Sequence, residues 1–367
     1  MLRRVIAMVG IVGLTAAGTA TVPAAASDED HPKLGRLVRQ LTARDGAPGA
    51  LANVQDRHGR TLIRSGVGDL RTGAPVPPDG HWRIGSITKP FVATVVLQLV
   101  GEGEIELDAP VDRYLPGLVS RDITVRHLLQ HTSGLPDYLE YLSMPEIIAH
   151  PFTHYDKREL LDLALKHPPL FEPGERWSYS NTGYLLAGML IEKVTGHPYG
   201  DEIRRRVLRP LRLRHTFVPG DRASLPLPRP RGYVRPGPDV PLLDRTLLNP
   251  SVAAASGNVV STASDVNRFF AALVGGELLR PAQLREMMTT RPMGRSSGTE
   301  YGLGLVRVPL PCGGYVWGHA GDMIGFSTRS GATVDGRRAT IMANVYPGAT
   351  DAQDNDLEAA LTTAFCE

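Results

Sequence analysis

The sequence predicts an α+β fold: an α/β sandwich whose central five-stranded antiparallel sheet is flanked by helices, with an all-α domain inserted. Segments with strand character lie near both ends of the chain, two within residues 50–66 and three within residues 315–346, so one sheet could hold all five. Residues 118–214 instead show mostly helical spacing of apolar residues, broken by proline and glycine. No repeat of 20–50 residues is visible, which argues against solenoids and propellers.

The first predicted elements are a helix and a hairpin. Residues 34–42 read as a helical stretch, and two apolar segments follow at 50–55 and 61–66. The connection between these segments, 56–59, contains aspartate and glycine, which favour a turn. The two segments therefore predict a β-hairpin.

Three further strands and a helix are predicted near the C-terminus. The strands cover residues 315–320, 325–333 and 338–346. An Asp-Gly pair at 335–336 lies between the last two strands and is a strong hairpin signal. A polar-capped helix at 354–365 follows.

The middle of the chain is predicted to be a helical insertion. Apolar residues between 185 and 194 recur at helical spacing, and Gly196 is well placed to end that helix. A proline-rich stretch at 225–241 predicts a long surface connection. These features divide the chain into two domains with a cleft where they meet. The predicted parts are a discontinuous sheet domain, residues 27–117 and 245–367, and a mainly α-helical domain, residues 118–244.

Composition excludes several classes of protein. Of the 367 residues, 42% are hydrophobic and 21% are charged, a globular balance that argues against a disordered chain. The chain has 40 Lys and Arg against 38 Asp and Glu, without the basic excess expected of a nucleic-acid binder. Its 2 cysteines are too few for a disulfide-dense scaffold or a cysteine-based zinc site.

Residues 1–26 have the pattern of a cleavable export signal. Arg3 and Arg4 precede an apolar run at 5–14, and alanines at 24–26 provide a cleavage site. The run is short for the roughly 20 apolar residues of a membrane span, so we expect secretion rather than a membrane anchor. The signal holds both arginines and no acidic residue, and its removal turns the net charge of +2 into a formally neutral mature chain.

Cys312 and Cys366 are the only pair of cysteines available for an internal bridge. A secreted context favours that disulfide, and two free thiols are the alternative. Closing a loop of this length would stabilise the fold by about 4 kcal/mol on chain-entropy grounds.

The strongest local signal for chemistry is a serine followed three residues later by a lysine. Ser86 begins an apolar stretch that reads as an amphipathic helix, and the N–H groups at a helix N-terminus favour developing negative charge. Lys89 returns to the same face one turn later. Serine is a weak nucleophile without a base, and a buried lysine can serve once its pKa falls. A helix-capping serine beside a surface lysine would give the same pattern.

Two further motifs strengthen this interpretation. Tyr179 and Asn181 precede a predicted helix, where a spacing of two puts both side chains on one side of an extended turn. The phenol could relay a proton, and the amide could bond a substrate carbonyl or hold the lysine; a core tyrosine beside a capping asparagine is the alternative. On a predicted strand, His319 could supply a hydrogen-bond donor or a positive charge, and Gly321 could admit a substrate backbone. A glycine-punctuated edge strand with a satisfied histidine is the alternative there.

In order and spacing, Ser-x-x-Lys, Tyr-x-Asn and His-x-Gly resemble the motifs of the serine penicillin-recognising hydrolases. The Tyr-x-Asn version is similar to that of class C β-lactamases and of secreted D-alanyl-D-alanine carboxypeptidases, and the cysteine arrangement resembles the carboxypeptidase branch. His-Thr-Ser-Gly-Leu at 131–135, Tyr-Gly-Leu-Gly at 301–304 and Asn-Pro-Ser at 249–251 resemble the same family. The resemblance covers nearly the whole mature chain and implies a β-lactamase/transpeptidase-like fold.

The resemblance also implies a role for each motif residue. Ser86 would be the acylated nucleophile, with Lys89 and Tyr179 as the proton-transfer pair. Asn181 would orient the substrate amide, and His319 would replace the first lysine of the K-T-G element.

The strand around His319 departs from the family pattern. Backbone N–H groups of Ser86 and Asp322 would form the oxyanion hole, but the Asp322 side chain adds an anion where a substrate carboxylate would approach. Ala320 stands where the family usually has a hydroxyl that helps bind that carboxylate. Arg307 could supply the missing cation, although strand alternation could point it the wrong way. Acyl-serine chemistry is therefore better supported than carboxypeptidase specificity.

We expect a secreted, cofactor-free serine hydrolase, with D-alanyl-D-alanine carboxypeptidase action on peptidoglycan peptides as its activity. The alternatives are a class C-like β-lactamase, an esterase or a D-amino-acid peptidase on the same scaffold, and a non-catalytic penicillin-binding-like protein. The expected partner is a small peptide or β-lactam-like substrate, with no nucleic acid. No metal site is expected, because His127 and His131 have the spacing of a ligand pair but lack the zinc-peptidase glutamate and an evident third ligand.

Overall fold

The computed structural model describes residues 31–57, 59–120, 122–237, 240–294, 298–347 and 350–367, so the predicted export signal lies outside the described residues. The helices are α1 (Pro32–Ala43), α2 (Thr88–Glu102), α3 (Val125–Leu129), α4 (Met144–Ala149), α5 (Lys157–Leu165), α6 (Asn181–Thr195), α7 (Tyr199–Ile203), α8 (Ala254–Gly257), α9 (Ala263–Val274), α10 (Pro281–Met287) and α11 (Asp351–Cys366). The strands are β1 (Gly49–Gln55), β2 (Arg60–Gly66), β3 (Trp82–Arg83), β4 (Tyr233–Val234), β5 (Leu243–Asp244), β6 (Val260–Ser261), β7 (Arg291–Pro292), β8 (Glu300–Tyr301), β9 (Val306–Pro309), β10 (Tyr315–Met323), β11 (Phe326–Ala332) and β12 (Arg338–Ala343).

The central sheet is antiparallel and larger than predicted. It has 8 strands in the order β2-β1-β12-β11-β10-β9-β8-β7. The five predicted strands are neighbours in this order, as the sequence indicated, and β12 joins the N-terminal hairpin to the C-terminal strands. The three added strands have only 2 to 4 residues each, which is too short for the alternation of apolar residues to be recognised.

Helices cover both faces of the sheet. On one face, α1 and α11 pack over apolar side chains of the central strands, including Ile341. On the other face, Met342 joins a larger core with α2, α6 and α9. Neighbouring residues of one strand thus enter different cores, as the alternation of side chains across a sheet requires.

Helix α2 is buried on nearly every side, which differs from the amphipathic helix that the sequence predicted. All of its residues from Thr88 to Leu97 are buried, and α6, α7, α8 and α10 pack around it. Because helices surround α2, it has little surface exposed to water, and its lysine is buried with the apolar residues.

The middle of the chain contains α3 to α7, as the sequence predicted. Gly196 ends α6 with a φ of 73°, a left-handed conformation that favours glycine. The proline-rich connection is less irregular than expected, because it contains β4, which pairs with β5. One apolar core includes residues of both predicted domains, Leu128 and Leu185 beside Met342, so the boundaries at 117 and 245 stay a prediction.

Strand β10 has one half-open edge. Its first four residues pair with β9, whereas its second half, from His319 to Met323, pairs with β11 but with no other strand of the described residues. This unpaired edge faces the turn that carries Ser86, because Gly321 lies against the backbone of that turn. The fold therefore brings the second and third sequence motifs to the first.

Candidate active site

Ser86 lies in a short 3₁₀ turn, Gly85–Ile87, that leads into α2. Gly85 has a φ of 53°, and a Cβ added there would lie 2.6 Å from the backbone nitrogen of Asp322. A larger residue would therefore separate this turn from β10. The turn holds the half-buried Ser86 hydroxyl beside the open edge of the strand.

Lys89 is the nearest base to Ser86. Its side chain is fully buried, and Nζ lies 2.9 Å from Ser86 Oγ, 2.7 Å from Asn181 Oδ1 and 2.9 Å from the Ser256 carbonyl oxygen. Burial lowers the pKa of Lys89 to about 7, while the carboxylate of Asp137 acts in the opposite direction. The alternative of a surface lysine beside a capping serine is therefore wrong.

Asn181 holds the lysine through a chain of polar contacts. Its Nδ2 donates a 2.7 Å hydrogen bond to Asp137 Oδ2, which fixes Oδ1 toward Lys89. Asp137 in turn accepts a hydrogen bond from the backbone N–H of Leu139. The amide is thus an orienting group for the base as well as a lining residue of the cleft.

Tyr179 approaches Ser86 from the other side. Its hydroxyl donates a 2.7 Å hydrogen bond to Ser86 Oγ, and Lys89 Nζ lies 4.7 Å from the centre of its ring. Burial raises the pKa of the Tyr179 phenol well above its usual range, so the phenol keeps its proton at neutral pH. Ser86 Oγ therefore lies between a base and a proton donor.

His319 ends a buried chain of hydrogen bonds whose proton positions are fixed. The backbone N–H of Ser180 donates to His131 Nδ1 at 3.2 Å, so His131 donates from Nε2 to Tyr301 Oη at 3.1 Å. Tyr301 then donates to His319 Nε2 at 3.0 Å, and His319 donates from Nδ1 to the Ala320 carbonyl oxygen.

This chain corrects the expectation that His319 supplies a positive charge. Both of its ring nitrogens have partners that a neutral imidazole satisfies, with Nδ1 donating and Nε2 accepting. Burial, with a smaller contribution from Lys89, lowers the pKa of His319 to about 3. His319 is therefore a neutral residue of fixed orientation that lines the cleft.

Gly321 also serves a different purpose from the one predicted. A Cβ at this position would lie 2.0 Å from the Ile84 carbonyl oxygen, so the glycine allows β10 to pack on the nucleophile turn rather than admitting a substrate backbone. Its neighbours Ala320 and Asp322 do line the cleft beside Ser86. The backbone of Asp322 adjoins Gly85, and its role as an oxyanion-hole donor stays a prediction.

Arg307 does not face the cleft, which corrects its predicted role in substrate binding. Its guanidinium lies over the rings of Tyr315 and Trp317 and bonds to Glu300 Oε2. The neighbouring residues Val306 and Val308 line the cleft instead. Strand alternation points Arg307 to the opposite face.

The cation near this part of the cleft is Arg329, which the sequence analysis did not single out. Arg329 lies directly opposite Ala320 in the β10–β11 ladder, and its side chain is 6% exposed. It contacts the carboxylates of Asp322, Asp354 and Glu358 at 3.0, 2.8 and 3.4 Å. An arginine within a strand otherwise rich in buried small residues is the sequence signal that could have revealed it.

The cleft has a volume of about 690 Å³ and follows β10 from Val316 to Met323. Near Met323 its wall is apolar and formed by loop and helix residues around α4 and α8. The lining residues at this end are Leu139, Met144, Ile147, Val252, Met323 and Ile324. An apolar side chain of a ligand would be buried here.

The described residues contain no group of three His, Cys, Asp or Glu side chains placed to hold a metal ion. The predicted spacing of His127 and His131 does not give a shared site, because His131 lies beyond α3 with its ring bonded to Ser180 and Tyr301. In the part of the chain that the structure describes, no helix is long and apolar enough to cross a membrane.

Comparison with known proteins gives one family and consistent structural neighbours. The family model described as Beta-lactamase matches residues 34–364. A D-stereospecific amidohydrolase from Streptomyces sp. is 39% identical with a TM-score of 0.84, over 90% of this chain and 98% of that one. D-amino acid amidase from Ochrobactrum anthropi is 29% identical with a TM-score of 0.79, over 91% and 97% of the two chains.

Penicillin-binding proteins are also among the relatives. Penicillin-binding protein 4 of Amycolatopsis lactamdurans is 30% identical over 255 residues, which are 65% of this chain and 63% of the relative. This chain spans between about half and two thirds of the length of the curated relatives that it matches first. The agreement of sequence family and fold confirms the predicted β-lactamase/transpeptidase-like architecture.

Proposed function

Because this chain belongs to the beta-lactamase family, which includes the penicillin-binding proteins, we propose that it is a hydrolase of D-amino-acid amides that acts through an acyl-enzyme at Ser86. The observation that carries the proposal is the position of Ser86 Oγ, 2.9 Å from a buried lysine and 2.7 Å from a protonated tyrosine in one cleft. This arrangement activates a serine and provides the proton that a leaving amine needs.

Acylation begins with removal of the Ser86 proton. In neutral Lys89, two N–H groups donate to the carbonyl oxygens of Asn181 and Ser256, which leaves the lone pair directed at Ser86. As Oγ attacks the substrate carbonyl, its proton moves to Nζ, and the resulting ammonium keeps the same three partners. The negative charge forming on the carbonyl oxygen would be stabilised by the backbone N–H groups of Ser86 and Asp322.

The tetrahedral intermediate then breaks its bond to the leaving nitrogen. That nitrogen needs one proton, and the Tyr179 hydroxyl is the group that can pass it, since it lies 2.7 Å from Oγ and remains a phenol. The proton that Lys89 took from Ser86 replaces the proton that Tyr179 gives to the leaving nitrogen, so that both groups return to their starting protonation states. In the second half-reaction water attacks the ester and Lys89 accepts its proton; the bond between the carbonyl carbon and Ser86 Oγ then breaks, and the proton returns from Lys89 to Oγ.

The cleft and the relatives support the proposed substrate class. The apolar end near Met323 would bury a large apolar side chain next to the acylated serine. The amide bond and the D configuration are supported by similarity to a D-stereospecific amidohydrolase and a D-amino acid amidase.

Hydrolysis of D-phenylalanine amide and of its L enantiomer tests the proposal. We expect the purified protein to release ammonia from the D amide faster than from the L amide, and Ser86→Ala to abolish both reactions without changing the thermal unfolding midpoint. Faster hydrolysis of the L enantiomer, or activity retained in Ser86→Ala, would contradict the proposal.

A D-alanyl-D-alanine carboxypeptidase, the activity expected from the sequence, is the second candidate. It is favoured by the similarity to a penicillin-binding protein and requires the same acylation at Ser86. The two candidates differ in whether the leaving group carries a free carboxylate.

We also propose that the protein is exported. The N-terminal sequence of the secreted chain, expected to begin at Ser27, tests that point.

A further inference from the structure

The cleft beside Ala320 contains one guanidinium surrounded by three carboxylates. Arg329 contacts Asp322 from the adjacent strand and both Asp354 and Glu358 from α11. Among the described residues that line the cleft, Arg329 is the one arginine or lysine. Any anionic group of a ligand at this end would depend on Arg329 for its counter-charge.

We propose that Arg329 and its three carboxylates, Asp322, Asp354 and Glu358, exclude substrates with a free C-terminal carboxylate and thereby select neutral leaving groups. The inference rests on the proposed acyl transfer at Ser86, because that reaction defines which end of the substrate leaves. It makes the side chains of these four residues determinants of specificity that do not take part in the chemical steps.

The position of Arg329 supports this assignment. Opposite residues of antiparallel strands share a face, with Cβ atoms about 4.5–5.5 Å apart, so the guanidinium begins beside Ala320. At the position of Ala320, the family that this sequence resembles usually has a hydroxyl that helps bind the substrate carboxylate. An arginine here would be well placed for the same ligand if its charge were available.

Its charge is already used within the protein. The guanidinium faces three carboxylates at 3.4 Å or less, and its side chain is 6% exposed. A substrate carboxylate would have to displace at least one of them and would then lie next to the others. A carboxamide or an ester carries no charge and avoids this repulsion.

The other basic residues considered near the reaction centre do not substitute for Arg329. Lys89 is fully buried and bonded to three oxygen atoms, and His319 is neutral with both ring nitrogens engaged. Arg307 faces away from the cleft. Neutralising an acid of the cluster should therefore release a carboxylate-binding arginine.

Binding to Ser86→Ala protein tests the proposal without requiring turnover. Calorimetry would compare N-acetyl-D-alanyl-D-alanine with its C-terminal amide. We expect the amide to bind at least about tenfold more tightly, with the difference shrinking as salt is added. In Ser86→Ala carrying Glu358→Gln and Asp354→Asn, the ratio of the affinity for the amide to the affinity for the carboxylate should fall toward one or below it.

The two added substitutions lie at half-exposed helix positions, and a thermal unfolding scan checks that the fold is retained. Glu286→Gln is the matched control, because Arg126 also bridges two carboxylates, Asp108 and Glu286, outside the cleft. It should leave the preference unchanged.

Equal or tighter binding of the carboxylate, binding of neither compound, or an unchanged preference in the doubly neutralised protein would overturn the proposal. Failure of the proposed function is seen separately, as absence of an acyl-enzyme in the protein with Ser86 intact.

Discussion

The proposed proton acceptor for Ser86 is Lys89, a fully buried lysine held by two carbonyl oxygens. Among the described residues no carboxylate contacts Lys89 directly; Asp137 is bonded to Asn181, which is bonded to the lysine. Desolvation therefore dominates and brings the pKa of Lys89 to about 7, where the free amine is present at neutral pH. The same burial keeps Tyr179 protonated, so the two groups take opposite roles.

The pH dependence of kcat/KM for D-phenylalanine amide should report this lysine. Because the neutral amine is the active form, kcat/KM should rise with pH to a plateau, with a midpoint near the pKa of about 7. In Asp137→Asn the carboxylate that raises this pKa is lost, so the midpoint should move to lower pH. A profile that is flat from pH 5 to 9, or a midpoint that moves upward in the variant, would contradict this account.

Single residues were predictable where they lie in a short motif. Ser86, Lys89, Tyr179 and Asn181 come together as the sequence indicated. Arg329 could not be assigned, because its meaning depends on carboxylates from α11, which only the sheet brings near. Of the two roles considered for His319, a hydrogen-bond donor or a positive charge, the charge was wrong, because burial and the bond from Tyr301 depend on tertiary contacts that the motif does not contain.

The geometry of the site depends on how two elements touch. Strand β10 packs directly on the turn Gly85–Ile87, and Gly321 is the point of closest approach, with the Ile84 carbonyl oxygen 2.0 Å from where a Cβ would be. This contact sets the distance between Ser86 and the strand edge along which a substrate would lie. Neither backbone segment has a flexible side chain at this point to absorb an added atom.

Gly321→Ala should therefore separate the turn from the strand. We expect kcat for D-phenylalanine amide to fall by about 10², the loss associated with a displacement of about 1 Å in a catalytic group. Gly101→Ala is the control, because it adds a methyl group near the end of α2 against the flexible side chain of Gln283. Full activity in Gly321→Ala, or an equal loss in the control, would show that this contact does not position the serine.

The elements themselves were largely predictable from periodicity, with informative exceptions. The five longer strands and α6 follow their sequence patterns. The apolar stretch of α2 was misjudged because helices pack on it from several sides, which a pattern along one segment does not show. The short strands depend on pairing rather than on their own sequence: β9 pairs with β10, β8 with β9, and β7 with β8.

At the scale of the whole molecule, the two ends of the described chain meet. The backbone N–H groups of Lys33 and Leu34, in the first turn of α1, donate to the carboxylate of Glu367. The sulfur atoms of Cys366 and of Cys312, in the connection between β9 and β10, lie within bonding distance, with Cα atoms 5.5 Å apart. These contacts hold α1 and α11, the helices at the two ends of the described chain, on one face of the sheet.

Replacing both cysteines by serine should lower the free energy of unfolding by about 4 kcal/mol, because the bridge closes a loop with a sequence separation of 54 residues. Denaturant unfolding of the variant and the unsubstituted protein measures this difference. The bridge itself is checked by intact mass, which should rise by about 2 Da on reduction. An unchanged mass, or an unchanged unfolding free energy, would contradict the prediction.

Trapping the acyl-enzyme tests the central claim most directly. The protein is incubated with a fluorescent penicillin or with an activated ester of N-acetyl-D-phenylalanine, quenched in acid, digested and analysed by mass spectrometry. A covalent acyl group on the peptide that contains Ser86, absent from Ser86→Ala, is the predicted result. Consumption of the ester with an adduct on another residue, or no adduct with either reagent, would contradict it.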